Sequence, residues 1–130
     1  MTLREIYEAA VHMVCEEPDD DTSADYEDRA AYILPTFCGH CAASDARYRL
    51  AHGMTAVTPT SAAYMELTEA FPLSEVFVAP ATYYLAAMLT VDENEELSER
   101  FFALYTDAVA AVEASLPASG ETVADRYGLL

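Results

Sequence analysis

The residues best equipped for chemistry are the run Cys38-Gly39-His40-Cys41. A Cys-x-x-Cys pair at the N-terminus of a helix can lower the pKa of its first thiol and support disulfide exchange. Cys38 and Cys41 could equally be small apolar side chains on the buried face of a helix. The spacing therefore leaves two interpretations open, a redox pair and two structural thiols.

The same run has the ligand types of a zinc site. Cys38, His40 and Cys41 could be joined by one of three further residues, namely His12, Cys15 and His52. Structural zinc is held tetrahedrally by Cys and His, usually from pairs at regular spacing. The spacing here is irregular and there is no second Cys-x-x-Cys, so free thiols and surface histidines compete with the zinc hypothesis. We expect no metal and no cofactor.

The tetrad also resembles the active site of the protein disulfide isomerases, within the thioredoxin family. That resemblance implies a strand directly before Cys38 and a cis-proline that faces the pair. Residues 25–34 have a helical period instead, and Thr58-Pro59 follows Cys41 too closely to be that proline. The redox hypothesis therefore rests on four residues only.

Other catalytic patterns are missing from the sequence. The acidic runs 19–21 and 92–96 lack the alternating ligands and central glycine of a calcium loop, and each lies at a helix start, where carboxylates favour the helix dipole. There is no Gly-x-Ser-x-Gly elbow and no glycine-rich phosphate loop. We therefore expect that the protein is not an enzyme.

Apolar spacing predicts the elements that would position these residues. Four helices are expected, over 2–16, 24–51, 73–91 and 93–116, with the second kinked or briefly broken at 35–39. A longer loop follows over 54–72, with one helical turn at 62–67. The predicted architecture is all-α: a single four-helix domain over 1–116 and a flexible C-terminal tail over 117–130.

The predicted caps are short polar residues and one glycine. Thr2 and Glu5 have capping-box spacing, as do Asp92 and Glu95. The second helix is expected to start at Thr22 or Ser23 and to end before Gly53, whose freedom to adopt positive φ suits a C-terminal cap.

The last helix has two apolar stripes, more than one neighbouring helix can cover. The first stripe is Leu97, Phe101, Leu104, Ala108 and Ala111, and the second is Phe102, Tyr105, Val109 and Val112. The second stripe predicts an interface with another subunit. Tyr127 and Leu129 in the tail are expected to anchor on a neighbour.

Charge excludes whole classes of partner. The chain has 130 residues, with 6 basic residues, all Arg, against 23 acidic ones and a net charge of −17. Such a surface repels nucleic-acid phosphates and anionic membranes. The longest uncharged run, 76–91, falls short of the roughly twenty residues that span a bilayer. With three Cys and no apolar leader, we expect free thiols in a reducing compartment.

The order of segments resembles small proteins of phages and prophages from Gram-positive bacteria. The resemblance lies in Met1-Thr2-Leu3-Arg4-Glu5-Ile6-Tyr7-Glu8, Glu16-Glu17-Pro18-Asp19-Asp20 and Asp25-Tyr26-Glu27-Asp28-Arg29-Ala30. The run 79–91, then Asp92-Glu93-Asn94-Glu95-Glu96-Leu97 and Arg100-Phe101-Phe102-Ala103-Leu104-Tyr105, is similar to the last two helices of head–tail connector, or adaptor, proteins of tailed phages. The resemblance spans most of residues 1–116 and consists of caps and apolar stripes.

The connector family implies an all-α subunit of a homo-oligomeric ring beneath the portal protein, joined to tail-side connector proteins. DNA would pass through the ring without tight binding. The expected location is the virion, and the host cytoplasm before assembly. The Cys38–Cys41 run departs from that family. The alternatives are a small redox or structural-zinc protein and, ranked last, an acidic protein that imitates DNA, whose charges would line one elongated face.

Overall fold

The computed structural model describes residues 1–14, 19–58 and 62–116 and shows an all-α, four-helix domain, as predicted. The helices are α1 (Leu3–Val14), α2 (Asp20–Ala51), α3 (Val78–Thr90) and α4 (Glu95–Ala114). A single turn of 3-10 helix, Glu75–Phe77, precedes α3. No strand occurs in these three stretches, only one isolated bridge between Thr2 and Ala70. The predicted flexible tail, 117–130, lies outside the described residues.

The third helix lies at the centre of the bundle and contacts the other three. It runs antiparallel to α2, because Ser74, just before α3, binds Asp45 late in α2, whereas Met88 near its end binds Arg29 early in α2. One hydrophobic core joins all four helices and the long loop, with Leu34 and Leu85 fully buried. The nearly uniform apolar composition of α3 follows from this central position.

The second helix is not interrupted at 35–39, although Pro35 lies inside it. Proline has no N–H, so it leaves the carbonyl oxygen of Ala31 without its usual donor. The backbone N–H of Met65, in the long loop, donates to that oxygen at 3.0 Å. A loop residue therefore replaces the missing helix hydrogen bond, and the predicted break does not occur.

The long loop, described over 52–58 and 62–74, is tied to two helices. Its carbonyls at Leu67 and Glu69 accept the N–H groups of Arg4 and Leu3 at 2.8 and 3.0 Å. These are first-turn donors of α1, which have no partner within their own helix. The helical turn predicted at 62–67 is absent, because the Met65 N–H and the Leu67 carbonyl pair with α2 and α1 instead of with neighbours in the loop.

Two predicted helix starts are wrong by a few residues. Asp19 caps α2 by accepting the Thr22 N–H at 2.7 Å, one turn before the predicted Thr22 or Ser23. Asn94 caps α4 by accepting the Leu97 N–H at 3.1 Å, in place of Asp92. All these side chains are acceptable caps, so local sequence alone does not rank them.

Two other predicted caps are confirmed. The Thr2 hydroxyl accepts the Glu5 N–H at 3.4 Å at the start of α1. Gly53 follows α2 with a φ of 65°, the left-handed conformation that favours glycine. The third helix is shorter than predicted, since its first residues form the 3-10 turn.

Candidate functional site

The Cys-x-x-Cys pair lies in the middle of α2 and faces the core. Cys38 and Cys41 are free thiols that are 1% and 4% exposed, whereas Gly39 and His40 are exposed. A helix N-terminus would stabilise a thiolate, but these residues are far from the start of α2 at Asp20. The position therefore provides none of the electrostatic help that a redox cysteine receives.

Burial also opposes ionisation of both thiols. It raises the pKa of Cys38 from 9.0 to about 12, with further contributions from Cys41 and Asp45. It raises the pKa of Cys41 to about 11, with further contributions from Glu113 and Asp45. Disulfide exchange needs a thiolate near neutral pH. The two side chains therefore act as small buried groups, and nothing in their geometry favours the redox hypothesis.

The candidate zinc ligands are not brought together. His40 is exposed on the side of α2 away from the buried thiols, and His12 is exposed on α1. His52 stacks on Tyr48, with ring centroids 4.2 Å apart, at the end of α2. Cys15 lies outside the described residues. Within the part of the chain that the structure describes, no three His, Cys, Asp or Glu side chains are grouped to hold a metal ion.

A buried carboxylate that the sequence did not single out lies beside the thiols. Asp45 is 2% exposed, pairs with Arg49 at 2.9 Å and accepts the Ser74 N–H at 2.9 Å. Arg49 also donates to the carbonyls of Thr55 and Pro72, at 3.3 and 3.5 Å. The group holds both ends of the long loop on α2. Its signal in the sequence is the i, i+4 spacing of Asp45 and Arg49.

The two acidic runs lie at the same end of the bundle. The Tyr26 hydroxyl, early in α2, donates to the Glu93 carboxylate at 2.5 Å. This contact brings the turn between α3 and α4 beside the first turns of α2, where Asp19, Asp20 and Asp21 are exposed. Seven carboxylates therefore cluster at this end of the bundle, while other exposed carboxylates, such as Glu8, Glu69 and Glu113, lie elsewhere on the surface.

The residues of the second apolar stripe of α4 pack mainly against the chain itself. Tyr105 lies 6.2 Å from Phe37 and 5.1 Å from Tyr84, measured between ring centroids, and Phe102 lies 6.5 Å from Tyr84. Val112 is 6% exposed in the core, and Val109 is partly buried. Tyr127 and Leu129 lie outside the described residues. An interface role for these six residues stays a prediction.

The uncovered part of α4 lies on its other side. Only three of its 20 residues are buried. Along the middle of the helix the exposed residues, which we call the outer face of α4, are Ala103, Leu104, Thr106, Asp107, Ala110 and Ala111. Leu104 is 44% exposed and Asp107 is the only charged member. Glu99, Arg100 and Glu113, which are also exposed, flank this patch, so the weakly charged surface is confined to the middle of the helix.

Comparisons with known proteins find no match, so any assignment of function depends on the structure itself. No family model matches the chain, and no curated protein or solved structure matches it. None of the helices found in the described residues combines the length and the apolar composition needed to cross a membrane. The features that bear on function are therefore the acidic runs at one end of the bundle and the outer face of α4.

Proposed function

We propose that this protein is a structural subunit of a phage head–tail connector, which assembles as a ring between the portal protein and tail-side connector proteins. The observation that carries the proposal is the outer face of α4. It offers mostly small side chains with a single charge over about two and a half helical turns, with Leu104 as its largest member. Small residues allow a partner helix to approach closely, and a partner is the usual reason for an uncovered apolar patch.

A ring requires that each subunit presents two different surfaces to its two neighbours. The outer face of α4 is one of them. The second stripe of α4 lies on the side of the same helix that faces α3. Its members Phe102 and Tyr105 are partly buried there. Tyr127 and Leu129 of the tail belong to the proposal as further anchors on a neighbour.

The charge of the chain supports a passage for DNA. Phosphates are repelled by carboxylates, so an acidic wall lets a duplex slide without adhering. The exposed carboxylates at 19–21 and 92–96 are gathered at one end of the subunit. In the proposed ring this end borders the channel, and DNA passes it without tight binding.

Deletion of the gene from a phage that encodes it tests the assignment. Electron microscopy of the lysate is expected to show heads filled with DNA, free tails and no joined particles. Tail joining at the normal frequency would contradict the proposal. Heads that never fill with DNA would contradict it as well, because a connector acts after packaging.

A further inference from the structure

A polar cleft between α1, α2 and the long loop has no role in the proposed function. Its volume is about 380 Å³, within the range of sites that bind small ligands or single side chains. Its charged lining residues are Arg4, Glu27, Asp28 and Glu66, and Tyr64 forms part of the wall. Carboxylates therefore outnumber basic groups by three to one in this cleft.

One carboxylate in the cleft already binds a guanidinium. The Arg4 side chain pairs with Glu27 at 3.1 Å, across the interface of α1 and α2. Asp28 and Glu66 have no ion pair and no side-chain hydrogen bond to any described residue. After Arg4 is matched with Glu27, the cleft retains two unpaired negative charges.

An aromatic pair stands at the edge of the cleft. Tyr32 and Tyr64 lie 5.1 Å apart, measured between ring centroids, with their planes tilted by 60°. They are 54% and 47% exposed, so both rings present a face to solvent. The Met65 N–H bond to Ala31 fixes the loop next to Tyr64, so that this ring is held beside α2.

We propose that the cleft binds an arginine side chain of a partner protein. A guanidinium is planar, so it can stack on the exposed tyrosine face while its N–H groups pair with Asp28 and Glu66. Lysine offers the same charge without the planar fork, and it binds such a site less well. A metal ion is disfavoured, because the described residues include no suitable group of three ligands.

The charge around this cleft favours a basic partner over a second copy docked at the same site. Two molecules that each carry −17 repel one another wherever their acidic surfaces meet. A segment rich in arginine is attracted to the same surface. The proposal does not depend on the connector assignment, since any protein that presents a basic segment satisfies it.

The test uses the full chain and three fluorescein-labelled pentapeptides, in which two arginines, two lysines or two citrullines alternate with glycines. Fluorescence anisotropy at physiological salt is expected to rank them arginine, then lysine, then citrulline. The D28N/E66Q variant should bind the arginine peptide roughly five to ten times more weakly. The matched control E75Q/E99Q removes the same charge from exposed positions outside the cleft and should keep the affinity within about twofold.

A third variant separates stacking from charge. Y64L should reduce the preference for arginine over lysine while retaining attraction to both peptides. Equal losses in D28N/E66Q and E75Q/E99Q would overturn the proposal, because binding would then follow net charge alone. Tight binding that appears only after removal of residues 117–130 would also overturn it, since Arg126 of the same chain would then be the occupant.

Discussion

The backbone N–H of Met65 donates to the carbonyl oxygen of Ala31 at 3.0 Å. This oxygen is the one that Pro35 leaves free inside α2. A residue far along the chain therefore removes the main penalty of a proline within a helix. The same bond fixes the loop beside α2, where Tyr64 meets Tyr32.

A double-mutant cycle tests this relationship. M65P removes both the donor and the buried Met65 side chain, which is 7% exposed, so it is expected to lower the free energy of unfolding by more than about 3 kcal/mol. In a P35A background the helix supplies an N–H of its own, so the same change should cost at least about 1 kcal/mol less. Urea unfolding of the four proteins measures the coupling. An equal loss of unfolding free energy on M65P in both backgrounds would contradict the coupling between Met65 and Pro35.

The pair of Asp45 and Arg49 is expected to be the strongest of the helical ion pairs. D45A leaves the mostly buried Arg49 guanidinium without its carboxylate and the Ser74 N–H without an acceptor, so it should cost about 3 kcal/mol of unfolding free energy. The matched control is E96A, since Glu96 and Arg100 have the same spacing but are 82% and 72% exposed. That change should cost under about 0.5 kcal/mol. Similar costs in thermal or urea unfolding would refute the assignment.

Stability is expected to fall at alkaline pH because two buried thiols must stay protonated. Above pH 9 the unfolded chain releases these protons, whereas the folded chain holds them until the raised pKa values of about 12 and about 11 are reached. The unfolded state then binds fewer protons, so the free energy of unfolding decreases as pH rises. The stability that the two protonated thiols contribute is fully present below pH 9.

The comparison is made in a C15S background, so that only Cys38 and Cys41 remain. Unfolding in urea from pH 9 to about 11 should show a steeper loss in C15S than in C15S/C38A/C41A. Tyr84 and Tyr105, whose pKa values burial also raises, are present in both proteins and cancel. Parallel curves would show that the thiols do not control the alkaline loss.

The glycines at 39 and 53 should respond in opposite directions to alanine. Gly39 lies in the interior of α2, and a Cβ there would have no neighbour within 4 Å, so G39A should stabilise the fold by about 0.5–1 kcal/mol. Gly53 also has open space but a φ of 65°, so G53A should destabilise it by about 1 kcal/mol. Melting temperatures that move in the same direction would contradict the placement of one of them.

The four helices could be predicted because their apolar residues recur at helical spacing, and because Thr2 and Gly53 are strong local signals. The continuity of α2 could not, since the donor to Ala31 comes from residue 65 and leaves no trace near Pro35. Helix ends at Asp19 and Asn94 were misplaced because several neighbouring residues are equally good caps.

The thiol pair and the ion pairs likewise combine features that local sequence predicts with features that only tertiary packing decides. Helical spacing predicts that Cys38 and Cys41 share a face, but only packing decides that the face is buried. Asp25 with Arg29, Asp45 with Arg49 and Glu96 with Arg100 have identical spacing. Of the three carboxylates, Asp45 alone is buried, because the loop at Ser74 covers it.

We propose that the outer face of α4 joins this subunit to a neighbour in a phage connector. The most direct measurement is the number of tailed particles when the gene deletion is complemented with L104E. Leu104 is 44% exposed, so the change should barely affect folding, while it places a charge in the interface. The control is M13E, at a residue of α1 that is 45% exposed. We expect tailed particles with wild type and M13E and few with L104E. Full rescue by L104E would contradict the claim.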